Sequence, residues 1–432
     1  VSFGGFVRNR RAAGELVVQP RMGFGDPALM RAGLAAVKRA RAVTAGTVTL
    51  DSYTRLGDVE SAGRALRDGD ALNGYPLLSH DAATTRAMVG GLAGDDFPVQ
   101  VRHGSAEPLE IFRGMIRAGL DATEGGPVSY CLPYGRTPLA ASVRQWTESC
   151  KRLAAVRETG REPHLETFGG CLMGQLCPPG LLVAVSVLEA MFFRALGLRS
   201  ISVSYAQQTN AAQDEEAVRA LRRLCGELLP ETDWHVVVYT YMGLYPRSRA
   251  GARELLARAA RLAVATGSER LIVKTVAESR RIPTVAENVE ALELAAAVAA
   301  SARRELPAAP AGPAGGETYR EALALIDAVL NCASGIGDAL VAAFRRGLLD
   351  VPFCLHPDNA GRARSRLDGD GRLRWADLGS LPLAGVVEPR RDGAALTAAG
   401  LMDALSHVQR TFDGAALARP DTPSALVRMT NE

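Results

Sequence analysis

Pro98-Val99-Gln100-Val101-Arg102-His103-Gly104 alternates apolar and polar residues and then ends in an arginine and a histidine. The alternation has the period of two of a short strand, and the β-branched valines suit a buried sheet. The strand runs out where two ionisable groups begin. The same pattern recurs upstream and downstream: strand candidates fall at 16–20, 48–51, 98–102, 119–123, 164–167, 200–205, 235–241 and 271–274, separated by Ala/Leu/Arg stretches of helical period. Apolar strands alternating with helices predict parallel pairing with both faces of the sheet covered. Eight such units in about 280 residues fit one α/β domain of the (β/α)8, TIM-barrel type, which takes ~250 residues. A doubly wound open sheet shares the alternation, because periodicity does not report closure.

Start signals support the intervening helices. Asp26-Pro27 places a cap before a proline and predicts a helix over 28–41, and Asp81 predicts one over 82–92. Ser105 and Asp214 are read the same way, ahead of 106–117 and 215–229. The barrel is expected to occupy 1–305. Residues 306–317, rich in Pro, Ala and Gly, read as a linker. The remainder, 318–432, reads as an extension packed on the barrel, helical over 319–346 and turn-rich over 351–383.

Composition narrows the function. Fifty Lys and Arg nearly balance 47 Asp and Glu, for a net charge of +3, with no basic stripe to suggest nucleic acid. Seven scattered cysteines without a Cys-x-x-Cys pair predict neither a disulfide framework nor a zinc ribbon, and point to a reducing cytoplasm. No metal-ligand set stands out. Apolar runs stop well short of the ~18 residues of a membrane-spanning helix, and no secretory h-region is expected at the start. Gly-x-x-x-x-Gly-Lys-Ser/Thr, His-Glu-x-x-His and Gly-x-Ser-x-Gly are all missing from the sequence.

In a (β/α)8 barrel the chemistry sits on the loops at the C-terminal ends of the strands. Those positions are Arg21, Arg55, Arg102 with His103, Glu124, Glu166, Tyr205, Tyr241 with Met242, and Lys274 followed by Glu278. Arginines from the first three, neighbouring strand ends can converge. Converging cations repel unless an anion sits between them, and a guanidinium holds a carboxylate through two parallel bonds. The inference is a small polyanion, either a dicarboxylate or a phosphate. Glu124 either pairs with those arginines or holds a cationic group of the ligand, which in the second case is an acidic amino acid. Lys274 and Glu278 are spaced to pair with each other, Tyr130 and Tyr134 to pack in a loop, and His103 to act as a hydrogen-bonded structural residue.

A set of motifs in order along nearly the whole chain resembles the catalytic, larger (epsilon) subunit of adenosylcobalamin-dependent glutamate mutase, also called methylaspartate mutase. They are Gln19-Pro-Arg21, Asp51-Ser-Tyr-Thr-Arg55, Asn73-Gly-Tyr-Pro76, Gln100-Val-Arg-His-Gly104, Glu124-Gly-Gly-Pro-Val-Ser-Tyr130-Cys-Leu-Pro-Tyr134, Pro178-Pro179, Tyr241-Met-Gly243, Ile272-Val-Lys-Thr275 with Glu278, Ile282-Pro-Thr284, Asp350-Val-Pro-Phe353 and Asn359-Ala-Gly361. The resemblance implies a barrel that interconverts (S)-glutamate and (2S,3S)-3-methylaspartate by radical rearrangement. It implies that Arg21, Arg55 and Arg102 grip the substrate carboxylates and that Glu124, the catalytic candidate, holds the amino group and exchanges a proton with it. Tyr130 and Tyr134 would add substrate hydrogen bonds. Lys274 and Glu278 would contact the ribose of the adenosyl group, with Met242 also on the cofactor side and His103 near the corrin or the substrate.

Relatives of this kind bind cobalt through the histidine of Asp-x-His-x-x-Gly. None of the six histidines (80, 103, 164, 235, 356, 407) lies in that motif. The resemblance therefore implies a separate small cobalamin-binding subunit that supplies the ligand, and an assembly of two large and two small chains. The family's usual ~45 residues ahead of the barrel are expected to be dispensable for closing it, since a core of ~250 residues suffices. Where the family has His-Gln-Trp, this sequence has Tyr239-Thr240-Tyr241, and Gln207-Gln208-Thr209-Asn210 replaces a Gly-rich segment. Two further readings remain: a cobalamin mutase for another amino acid or dicarboxylate, and a non-catalytic ligand-binding barrel.

Overall fold

A computed structural model describes residues 2–133, 135–172, 176–305, 316–389 and 397–417. Eight parallel strands form one sheet: β1 (Val17–Gln19), β2 (Gly46–Thr49), β3 (Val99–Arg102), β4 (Ala122–Gly125), β5 (His164–Thr167), β6 (Ser200–Ala206), β7 (Asp233–Tyr239) and β8 (Arg270–Ile272). Their order, β1-β8-β7-β6-β5-β4-β3-β2, puts β1 and β2 at the two ends of the row. Val18 closes the ring by bridging Thr44, just ahead of β2, with Val18 N–H donating to Val43 at 2.9 Å. The sheet is thus a (β/α)8 barrel and not an open, doubly wound one.

Strand length and alternation explain the two faces. Val99 and Val101 of β3 pack in the main apolar core, while Gln100 and Arg102 make their bonds across the barrel interior. The same period of two puts Glu166 inside, and Ser202 is bonded to it. Helix Phe3–Ala12, for which the sequence reading has no counterpart, seals the N-terminal end: Phe3 stacks on His164 at 4.8 Å, and Phe6 and Val7 are buried.

Several helix starts differ from expectation. Asp26 and Asp81 do cap their helices, Pro27–Arg39 and Ala82–Val89. Ser105 does not cap: its hydroxyl accepts from Glu107, and the helix Leu109–Arg117 begins after Pro108. A proline has no N–H to lose in a first turn and sets φ for it, so the helix starts there. Asp214 lies inside helix Ala211–Leu228, which Asn210 caps, because its carboxylate turns inward to Tyr205 and Gln208.

Of the expected linker, residues 306–315 lie outside the described residues. Beyond it the anticipated single helix is two, Glu317–Leu330 and Ile336–Arg346. The first packs on helix Pro179–Ala195 of the barrel. The turn-rich part contains a hairpin of β9 (Arg364–Leu367) and β10 (Leu373–Asp377). Helix His407–Leu417 lies on helix Arg249–Ala265, with Val408 and Phe412 buried against Tyr245 and Leu255. Among the described residues no helix is long and apolar enough to cross a membrane.

Candidate active site at the barrel mouth

Thr49 pairs with Arg102 on the neighbouring strand, and Glu124 with Glu166, so these side chains come side by side at the C-terminal ends of β2 to β5. A cavity of ≈ 280 Å³ opens there, and Arg21, Arg55, Arg102, His103, Glu124 and Tyr130 all line it. These are six of the residues singled out from sequence. Tyr134 lies outside the described residues.

The three arginines are not equivalent. Arg102 is 4% exposed and anchored inside the barrel. Its Nη2 lies 3.2 Å from Glu124 and its Nη1 3.6 Å from Glu166, while Nη1 also donates to the Tyr239 hydroxyl at 2.7 Å. Arg21 and Arg55 have no carboxylate partner among the described residues. Arg21 donates to Met242 Sδ at 3.9 Å and keeps a buried Nε without a hydrogen-bond partner. Arg55 donates from Nε to the Asp51 carbonyl at 3.3 Å and packs over Gly104, whose φ of 83° places it in the left-handed region that glycine tolerates.

Glu124 is completely buried. It pairs with Arg102, accepts from the Tyr130 hydroxyl and accepts from the His103 N–H at 3.2 Å. Burial raises its pKa above the ordinary carboxylate value, with Glu166 adding to the rise and Arg102 opposing it. A carboxylate held with raised proton affinity beside a cation is suited to taking and returning a proton. Of the two readings of Glu124 taken from sequence, the pairing with an arginine is observed, to Arg102; Glu124 and Tyr130 also bond each other, and both line the cavity.

His103 is a different case. Its ring is enclosed by Tyr130, Trp146 and Phe112, and its Nδ1 accepts from Ser105 N–H. Burial, with Arg102 and Arg55 nearby, lowers its pKa to about 3, so it is neutral at ordinary pH. At the end of β8, Lys274 lies 3.6 Å from Glu278 and 4.9 Å from the centre of the Tyr245 ring. Burial first, and Arg21 second among the lowering causes, bring Lys274 down to about 8. Met242 joins this group through Arg21.

Beneath the mouth lies a polar layer that strand-end reading did not assemble. Glu166 accepts from Arg270 and from the Tyr239 hydroxyl, and Gln100 donates to it at 3.2 Å. Arg270 also donates to Gln19 and Ser202, and Gln19 donates to Thr47 at 2.8 Å and to Gln100 at 2.9 Å. Arg270, Glu166, Arg102 and Glu124 therefore alternate in charge from the barrel centre to the cavity. Burial pushes Glu166 up, but Arg270 and Arg102 more than offset this and hold it below the ordinary value. The signal in the sequence was polar residues two apart in buried strands: Gln100 and Arg102, His164 and Glu166, Ser200 and Ser202.

Fold and mouth together define a (β/α)8-barrel enzyme with its charged groups at the C-terminal ends of the strands. The chain belongs to the methylaspartate mutase E chain (MutE) family, which matches residues 2–395; members of this family are isomerases. It is similar to the glutamate mutase epsilon subunit of Haloarcula marismortui, at 30% identity over 344 residues, 78% of this chain and 70% of that one. The glutamate mutase epsilon subunits of Escherichia coli O157:H7 and Yersinia enterocolitica are each 31% identical over 350 residues, 78% of this chain and 72% of theirs.

Proposed function

We propose that this chain is the substrate-binding, catalytic subunit of a glutamate mutase and interconverts (S)-glutamate and (2S,3S)-3-methylaspartate. The observation that carries this reading is the pairing pattern at the mouth. Among the described residues Arg21 and Arg55 stand without carboxylate partners, beside an Arg102 that already answers Glu124, which leaves the cavity rich in positive charge. Glutamate has two carboxylates and one ammonium. Arg21 and Arg55, with Arg102 behind them, take the carboxylates, and Glu124 takes the ammonium. Charge-assisted bonds of this kind contribute about 1.5–3 kcal/mol each, and in a recessed site they fix the orientation of the carbon skeleton as well.

The family implies adenosylcobalamin, and the mouth suits it. Glu278 and Lys274 offer an acceptor and a donor for ribose hydroxyls, with Met242 beside Arg21 on the same side. His103 is enclosed, with Nδ1 taken by the Ser105 N–H and Nε2 buried at the cavity without a hydrogen-bond partner among the described residues, and it lies outside Asp-x-His-x-x-Gly, so it suits a place beside the bound ligands and not cobalt ligation. That supports a histidine ligand from a separate small cobalamin-binding subunit, and an assembly of two copies of this chain with two of that partner. When bound, the cofactor supplies radical chemistry by homolysis of its cobalt–carbon bond. The residues of this chain bind and orient the substrate, hold a proton at Glu124 and, with a partner over the mouth, keep water out. All seven cysteines are free, which supports a reducing cytoplasm as the place of work.

The test is reconstitution. The purified chain, a small cobalamin-binding partner and adenosylcobalamin should form 3-methylaspartate from glutamate and give a cob(II)alamin signal on adding substrate. Assembled material that gives neither overturns the assignment of glutamate.

A further inference from the structure

Helix Pro179–Ala195 is apolar along nearly all its length and mostly buried, and Glu189 is its only carboxylate. Glu189 has no access to solvent and no ion-pair partner among the described residues. Its carboxylate instead collects donors from two loops. Oε1 accepts from the N–H groups of Val128 at 3.3 Å and Ser129 at 2.9 Å. Oε2 accepts from the Ser129 hydroxyl at 3.0 Å and the Phe168 N–H at 3.3 Å. A Cβ at Gly126 would lie 2.0 Å from Oε1, so the first loop closes onto the carboxylate only because residue 126 lacks a side chain.

Both loops serve the site. Val128 and Ser129 lead directly into Tyr130, after β4, and Phe168 opens the loop after β5. Tyr130 and Phe168 line the cavity, with ring centres 4.9 Å apart. Glu189 itself lies outside the cavity. A carboxylate buried without a cation is costly, and the several backbone donors are what offsets it. Burial pushes the Glu189 pKa up to about 7 although these donors all pull it down.

We propose that Glu189 is a positioning residue that ties the loop after β4 to the loop after β5 and so fixes Tyr130 and Phe168 at the mouth. This rests on the mouth being the substrate site, as read above. Glu189→Gln keeps the size of the side chain but sets an amide NH2 against N–H and O–H donors. Ser129→Ala removes one donor and leaves the packing in place, and it reads the same property should Glu189→Gln fold poorly.

The experiment is amide hydrogen exchange on the full chain, followed by substrate kinetics in the reconstituted enzyme. In Glu189→Gln, exchange should quicken by about tenfold or more in segments 126–132 and 168–172, while the barrel strands stay as protected as in the wild type. KM for glutamate should rise about tenfold with a smaller change in kcat. Ser129→Ala should show the same local pattern to a lesser degree. Unchanged exchange in both loops, or faster exchange spread evenly over the barrel, overturns the proposal. If even the wild type fails to convert glutamate, the exchange result still decides the role of Glu189, and only the functional reading falls.

Discussion

Arg102 Nη2 lies 3.2 Å from Glu124 Oε2, in a barrel interior where neither side chain has appreciable contact with solvent. Burial alone would lower the Arg102 pKa, but Glu124, then Tyr239, Tyr130 and Glu166, raise it well above the ordinary value. Arg102 therefore keeps its charge, and it answers two carboxyl groups at once. Arg102→Lys keeps a charge but loses the planar fork that reaches both. We expect kcat/KM to fall by about 100-fold or more, read in the reconstituted assay. Arg102→Met leaves Glu124 and Glu166 without this cation and should cost about 3–5 kcal/mol in urea unfolding. Near-wild-type turnover of Arg102→Lys would remove Arg102 from the site.

Arg21 and Arg55 should behave differently, because neither holds a carboxylate among the described residues. Arg21→Met and Arg55→Met should change stability little. Each should raise KM for glutamate by about 10–100-fold, the loss of one charge-assisted contact. The wild-type KM should also rise with salt, as expected for an anion drawn to an open cationic mouth. A KM that ignores both ionic strength and these substitutions would place the carboxylates elsewhere.

The strand-end residues were legible in sequence because a (β/α)8 barrel maps chain order onto position around the mouth. That is why Arg21, Arg55, Arg102 and Glu124 could be listed from strand ends alone. Pairing was not legible. Glu166 stood on the same list, yet nothing in its spacing says that it answers Arg270 and Arg102 from below. Which inward groups meet depends on barrel stagger and side-chain length, not on periodicity. Glu189 was hidden for another reason: its helix reads as plain core, and three of its four donors are backbone N–H groups, which a sequence does not display. Ser105 and Asp214 misled because a cap-forming residue type also bonds readily elsewhere.

Asp214 gives a pH-dependent prediction. It is buried, accepts from the Tyr205 hydroxyl at 2.9 Å and from Gln208 N–H, and burial raises its pKa to about 8 against those donors. A folded-state pKa above the unfolded one means that the folded state binds more protons between about pH 4 and 8. Its contribution to stability is therefore greatest at the acid end and is lost as pH rises through about 8. Asp214→Asn removes this titration. Urea unfolding at a series of pH values should show the wild type losing stability relative to Asp214→Asn as pH climbs across that window. A constant difference between the two proteins would show that Asp214 does not titrate there.

Tyr239 offers the narrowest test of the buried charge chain. Its hydroxyl accepts from Arg102 and donates to Glu166, and its ring packs edge-on to Phe168 at 5.5 Å with the Arg102 guanidinium 5.0 Å from its centre. Tyr239→Phe deletes the hydroxyl and leaves the ring contacts. The Arg102 Nη1 then faces Glu166 alone, at 3.6 Å, and Glu166 loses a donor. An unmet buried polar group costs about 1–3 kcal/mol, so unfolding free energy should drop by that amount. Arg102 also loses the contact that sets its angle toward the mouth, so KM for glutamate should rise while Arg21 and Arg55 keep the site anionic-selective. Combining Tyr239→Phe with Glu166→Gln separates the two effects. If the hydroxyl acts through the Glu166–Arg102 contact, the double variant should be less destabilised than the sum of the singles, by about 0.5–3 kcal/mol. Strict additivity would mean that the hydroxyl and the carboxylate act on Arg102 independently.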